Sequence, residues 1–480
     1  MSHQDRPFPV VINHHTIKQV MDWLLAPAVF AHLRGGGLAT WKPRLLAATA
    51  MLWATSELST LHERFVQARK IITKVFRWQP APGVSYQGFI KMLGHWQDEL
   101  LAAVVPHLRE QMQAELPAQC ETAGYAVFAG DGSRVALARS ESVEAAFAPV
   151  WRPRKARPRK GQRRKPRGAR RSPKTQTAAA RHKKATSPQL WLTLLWHVGS
   201  GLPWAWRTGP SGASERDHLL AMVPELPAHA LLVADAGFVG YALWQALLTA
   251  GHHFVIRVGA NVHLVRQLGW TREHAQVVYL WPDQAARQHQ PPLVLRLVVV
   301  HDGKQPVYLV TDLSKSGLSD RQVATIYGAR WGVEVFFRTF KQTFGCRKLR
   351  SRTAQNAQLE LAWSLLGLWG VCLLGSRELR ASGHDPVRLS PAAALHACQR
   401  TLREYRVRPE TPAETLWAQL RRARLDDYQR RSSKTSRAYP RKKHRTPIGI
   451  PHITRATAHQ IALAHALQHQ EEFEEFRLSA

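Results

Sequence analysis

Cysteine and acid are both scarce in this sequence. The four cysteines, Cys120, Cys346, Cys372 and Cys398, form no CxxC pair and no Cys/His metal spacing. That argues against a disulfide framework or a structural zinc site and fits a reducing cytoplasm. Against 67 Lys and Arg stand only 34 Asp and Glu, a net charge of +33 and a pI near 10.9. A chain this basic is usually built to meet a polyanion, most often nucleic acid. An anionic membrane surface is the competing partner, but the sequence carries neither a lipidation motif nor a basic amphipathic anchor. Long apolar runs are missing too. "LAWSLLGLWGVCLL" (361–374) is the most membrane-like stretch; it is too short to span a bilayer comfortably and reads as a buried helix, so no membrane partner is expected. The opening "MSHQDRPFPVVINHH" has acid and histidine but no apolar signal core.

What is present divides the 480 residues into regions of different pattern. Residues 1–118 read as a helical N-terminal domain, with apolar residues at three- and four-residue steps and Ser85 as an N-cap. Arg64, Lys70, Lys74 and Arg77 lie on these helices, which suit a helix-turn-helix-like DNA-binding unit or a plain bundle equally well. From residue 119 strands and helices alternate. "GYAVFAGDGSRVAL" reads as a strand ending near Asp131, and "QLWLTLLWHVGSGLPWAWRTG" as a hairpin turning at "GSG". "SERDHLLAMVPEL" reads as a helix capped by Ser214, and "HALLVADAGF" as a buried strand stopping at Asp235. The expected class is α/β with a mixed sheet. Residues 381–480 read as a C-terminal helical and basic region.

Residues 152–184 hold 16 Lys or Arg and no Asp or Glu. Such a segment cannot bury a core and is expected to be disordered when free. It reads as an electrostatic clamp on phosphates or, more plainly, as a solvated loop, and we favour nucleic-acid contact. A second basic stretch occupies 430–445. Neither distinguishes DNA from RNA.

The chemistry-bearing residues are carboxylates. Asp131 and Asp235 each close an apolar strand and precede a small residue, the place where α/β sheets present functional groups. A lone Asp there is usually a turn former. Downstream, "YGARWGVEVFFRTFKQTFG" (327–345) carries Tyr327, Arg330, Glu334 and Lys341. At about 100° per residue on one continuous helix these four share an arc of roughly 60°. That stripe is either a wet face or a glutamate held for chemistry. Two aspartates and a glutamate converging on one spot would hold divalent cations, with Mg²⁺ the best match to oxygen ligands.

The order "FAGDGS", "LLVADAGF", "YGARWGVEVFFRTFK" resembles the DDE transposases of bacterial insertion sequences. It is closest to the IS-four-like branch with the Tyr-x2-Arg-x3-Glu-x6-Lys signature, and the likeness runs from about residue 120 to 376. "LRSRT" (349–353), followed by a long apolar helix, resembles that group as well. The resemblance implies a ribonuclease-H-like fold over 119–256 and 313–380, interrupted by a β-rich insertion at 257–312. It implies Asp131, Asp235 and Glu334 as catalytic residues and ligands of two Mg²⁺, with Mn²⁺ as a substitute. It implies DNA contacts by Tyr327, Arg330 and Lys341, with Arg338, Arg350 and Arg352 beside them. Trp270 or Trp281 would stack on a flipped base, or simply pack in the interior. The implied reaction is hydrolysis at the element's ends followed by transfer of the 3′-hydroxyl strands into target DNA, with or without a hairpin intermediate. The implied partners are double-stranded DNA, as transposon ends and target, and a second copy in a homodimeric synaptic complex in the bacterial cytoplasm, at the nucleoid. The rival readings are a non-catalytic DNA-binding regulator or transposase relic, and a ribonuclease or RNA-binding protein.

Overall fold

The computed structural model describes residues 10–33, 40–77, 81–148, 187–302, 305–425 and 448–479, without the side chains of 470–479. Both basic stretches singled out above, 152–184 and 430–445, lie outside the described residues.

Five helices come first: α1 (Asn13–Leu24), α2 (Pro43–Thr55), α3 (Leu61–Phe76), α4 (Tyr86–His95) and α5 (Gln97–Glu115). Local chemistry sets their starts. Thr60 and Glu63 form a reciprocal capping box at α3, and Ser85 Oγ accepts from Gly88 N at 3.0 Å at α4, satisfying amide groups that a first helical turn leaves unpaired. Leu45, Leu46, Met51, Trp53, Phe65, Ile71 and Phe89 from these helices are buried.

The chain then builds one ten-stranded mixed sheet. Its strands are β1 (Val127–Ala136), β2 (Gln189–His197), β3 (Leu202–Gly209), β4 (Leu231–Ala234), β5 (His253–Val258), β6 (His263–Arg266), β7 (Val277–Leu280), β8 (Leu293–Asp302), β9 (Gln305–Thr311) and β10 (His452–Arg455). Their order is β10-β6-β7-β8-β9-β5-β4-β1-β2-β3. β1, β4 and β5 run parallel, whereas β1-β2-β3 is an antiparallel meander. The segment 257–312 is β-rich as expected, and β9 joins it directly to β5. β10 pairs with β6 at the far edge, a strand that the reading of the C-terminal region as helical and basic did not include.

Short helices α6 (Glu141–Phe147), α7 (Glu215–Leu220), α8 (Tyr241–Thr249) and α9 (Asp283–Arg287) link these strands. After β9 come α10 (Asp320–Ala329), α11 (Gly332–Arg338), a π-turn at Thr339–Thr343, and α12 (Ala354–Ala381). The last helices are α13 (Pro391–Arg403), α14 (Leu416–Arg421) and α15 (Ala458–Ser479).

The period-2 rule of strands assigns two faces. Phe128, Leu232 and Ile256 join the main core with the N-terminal helices and α12. Val127, Leu231, Val233 and Val255 face α10 through Val323 and Ile326. α12, 28 residues long, is apolar enough to cross a membrane, but its most apolar window is wholly buried within the protein. It is a core helix.

Candidate active site

The register of β1 on β4 brings the two aspartates together. Gly130 pairs with Ala234 as the last parallel pair, so Asp131 and Asp235 are the next residues on adjacent strands. Neighbouring strands lie about 4.8 Å apart, and residues at one level share a face. One expectation needs correcting here. Asp131 does not end a strand: β1 continues to Ala136 because β2 pairs with it throughout, with Asp131 opposite Leu194. What ends at this level is the parallel partner β4, and that opens a cleft beside Asp131.

Asp235 behaves as a turn former, capping the turn Ala236–Phe238, whereas Asp131 bonds the next amide from within its strand. Asp131 Oδ1 accepts from Gly132 N at 2.9 Å, and Asp235 Oδ1 accepts from Gly237 N at 2.8 Å. Burial pushes the Asp131 carboxyl up to about 6, against the Gly132 amide and the Arg330 charge, with Asp235 and Glu334 adding to the rise. These influences place the Asp235, Glu334 and Arg330 charges around Asp131.

Glu334 does not lie on one continuous helix with Tyr327 and Lys341, as the 60° arc assumed. The chain turns between α10 and α11 at Arg330–Trp331, and a π-turn follows Arg338. Side-chain contacts hold the parts together instead. Arg330 is 8% exposed; its Nη2 donates to Glu334 Oε1 at 3.4 Å, and its guanidinium lies 5.6 Å from the centre of the Tyr327 ring. Its Nε is buried and has no hydrogen-bond partner among the described residues. Lys341, displaced by the π-turn, donates from Nζ to Ser133 Oγ on β1 at 2.6 Å. Burial lowers its pKa, aided by Arg347 and opposed by Asp131. The Glu334 side chain is 39% exposed, so its carboxylate remains open to an incoming ligand. Burial raises the Tyr327 phenol above its ordinary value.

The other residues expected to touch DNA are placed differently. Arg338 and Arg352 are exposed. Arg350 turns its Nη1 back to the carbonyls of Ser59 and Leu58, ahead of α3. Trp270 follows β6, five strands from β4 in the sheet order, and packs half-buried against a cluster containing Val265, Tyr279 and Leu467. Trp281 is buried, with Nε1 donating to Gln290 O at 2.9 Å.

One carboxylate was missed. Glu215, the first residue of α7, is pushed up to about 7 by burial and then by Asp131 and Asp235, against Arg134. The sequence shows only a capped helix start there; the contact depends on α7 folding back over β1. Carboxylate oxygens are the donor set that Mg²⁺ and Mn²⁺ take. Among the described residues, no three His, Cys, Asp or Glu side chains stand close enough to enclose an ion as placed.

Residues 144–369 match the family model described as "Transposase DDE domain"; Asp235 and Glu334 fall inside that segment and Asp131 just ahead of it. The chain is 25% identical over 198 residues to transposase InsG for insertion sequence element IS4 of Escherichia coli strain K12. The alignment covers 39% of this chain and 43% of that protein, so the chain spans less than half the length of this curated relative. Among solved structures, the cryo-EM structure of a piggyBac transposase synaptic complex with hairpin DNA is matched over 88% of this chain and 85% of that one, at 12% identity and a TM-score of 0.37.

Proposed function

We propose that this protein is a DDE-type transposase of an insertion sequence, from the branch with the Tyr-Arg-Glu-Lys signature. Asp131, Asp235 and Glu334 are its catalytic carboxylates. The observation that carries this reading is the register that sets Asp131 level with Asp235, with Glu334 near enough for its charge to act on Asp131. The run β3-β2-β1-β4-β5 supports a ribonuclease-H-like core, with β6–β9 as the insertion between Asp235 and Glu334.

The carboxylates would draw together around two Mg²⁺, or Mn²⁺ in substitution. The ions supply Lewis-acid stabilisation of the attacking and leaving oxygens of a phosphodiester. Asp131 and Asp235 orient that centre from adjacent strands, and Glu334 closes it from α11. Arg330, bonded to Glu334, adds positive charge that would favour a phosphate there. Lys341 adds a point charge, fixed by Ser133. In the first step a water oxygen bonds to phosphorus at the element's end, the bond from phosphorus to the 3′-oxygen breaks, and that oxygen leaves as a 3′-hydroxyl. In the second the hydroxyl attacks a target phosphodiester and displaces the target's own 3′-oxygen. Both ends must be held together, so the working form is a homodimer on double-stranded DNA, in the cytoplasm at the nucleoid.

The test uses the DNA flanking the gene. Short inverted repeats there, bracketed by a small direct duplication, define candidate ends. Purified protein with Mg²⁺ is expected to cut a labelled duplex carrying them and leave 3′-hydroxyls. Cleavage of structured RNA but not of this duplex would overturn the reading in favour of a ribonuclease.

A further inference from the structure

We propose that Glu215 is a fourth carboxylate ligand of the divalent-cation site, reaching it from α7 across Gly132 and Gly237; this rests on the metal-dependent reading above. The first ground is that α7 is fixed on several sides. Ser214 Oγ caps it at Asp217 N, 3.2 Å. Arg216 Nη1 donates to Val239 O at 2.8 Å, beyond the turn that begins at Asp235. His218 Nδ1 meets Thr193 Oγ1 of β2 at 2.9 Å. Leu219 packs where a side chain at Gly130 would stand, 3.1 Å from its Cβ position. A glutamate at the start of this helix is therefore set by its framework.

The second ground is the space it occupies. A Cβ on Gly132 would lie 2.5 Å from Glu215 Oε1, and one on Gly237 would lie 3.7 Å from Oε2. The carboxylate thus fills a space that exists because the residue after Asp131 has no side chain, with Gly237 of the Asp235 turn at ordinary contact distance. One oxygen lies over Gly132 of β1 and the other is turned toward Gly237, after Asp235.

The third ground is that no cation among the described residues pairs with it. Arg134, the positive charge that acts on Glu215, lies over the Trp191 ring at 4.6 Å, and Glu215 takes no ion pair among the described residues. A half-buried carboxylate beside two others is unfavourable unless something positive joins them. The side chain has the reach and the oxygen chemistry to bind a cation that the aspartates hold.

The experiment titrates the full-length chain with Mn²⁺ alone, by calorimetry and by electron paramagnetic resonance of the free ion. E215Q is expected to weaken Mn²⁺ binding by at least about tenfold, the scale on which groups around a metal site act. Its unfolding midpoint in metal-free buffer should be no lower than that of the parent chain. G132A keeps Glu215 but obstructs its carboxylate, and is expected to reproduce the loss; it decides the matter should E215Q not fold. If E215Q and G132A bind Mn²⁺ like the parent chain while D131N does not, the inference is overturned and the transposase reading stands. Parent-like binding by D131N, or no binding by the parent chain, overturns both.

Discussion

Glu360 and Asp131 are both carboxylates withdrawn from water, and their surroundings differ. Glu360, on α12 and 6% exposed, accepts from Arg350 N at 3.0 and 3.1 Å and from Ser351 N at 2.8 Å. Glu378, on the same helix, sits between Arg377 at 3.8 Å and Arg421 at 3.5 Å. Asp131 has one bond to the next amide, and two carboxylates act on it beside the single charge of Arg330. The framework closes the coordination of Glu360 with backbone amides, because an unmatched charge there is costly. In the cleft the coordination is left open. That contrast, rather than burial, separates a structural acid from one available for a ligand.

The contrast can be broken most forcefully at the cleft. Asp131→Ala, Asp235→Ala or Glu334→Ala is each expected to cut strand cleavage by about a thousandfold or more, roughly 4 kcal/mol of transition-state stabilisation. Binding to end DNA, measured by gel shift, should persist. Retained cleavage by any one of the purified variants removes that residue from the site. Glu360→Ala is expected to act on the fold. It leaves the amides of Arg350 and Ser351 without an acceptor, a loss of about 3–5 kcal/mol, visible as a lower unfolding midpoint. An unchanged midpoint would erase the distinction drawn here.

Acid sharpens the comparison because the two regions respond with opposite sign. His197 is 2% exposed, and burial lowers it to about 4, against a bond to Cys120 O. Its folded value lies below the ordinary 6.5, so the unfolded chain takes up the proton first. Its contribution is full above about pH 6.5 and declines as pH falls toward 4, by up to about 3 kcal/mol. His197→Gln should flatten that limb of a stability-against-pH curve. Asp131 is shifted the other way, to about 6. Its folded form holds the proton more tightly, so its contribution is greatest below about pH 4 and declines as pH rises through 6. The smallest expected effect follows. In metal-free buffer at pH 8, Asp131→Asn should raise the unfolding midpoint, by about 1 kcal/mol, and Mg²⁺ should narrow the gap. A lowered midpoint would mean that the fold needs this charge.

Much of the scaffold was legible from local pattern. The hairpin about "GSG", the apolar strand before Asp235, the Ser85 and Ser214 caps and the buried run within α12 all depend on neighbours in sequence. Of the candidate site, the sequence pointed to the two aspartates and Glu334 but not to their setting. β1 passes Asp131 because β2 lies beside it, a pairing across about 60 residues. The helix from Tyr327 breaks where Arg330 is buried and Trp331 is 62% exposed, reversing the polarity that a periodic reading uses. Arg350 contributes its guanidinium to the seam with the N-terminal helices. Glu215 was invisible because its partners are two glycines, which carry no side-chain signal. Long-range contact decided each of these.

The 28-residue helix α12 has a bearing on how far a local change spreads. Its Gly367 and Gly370 let α2 approach, with a Cβ on Gly370 falling 2.9 Å from Met51 Cε, and Gly375 does the same for Leu389. The N-terminal helices, the sheet and the later helices share one core with it. A side chain larger than alanine at Gly370 would press on Leu24 of α1 as well as on Met51 of α2, so its effect would not stay with one helix pair. On the transposase reading, such a change would act on DNA binding and cleavage together rather than on one alone.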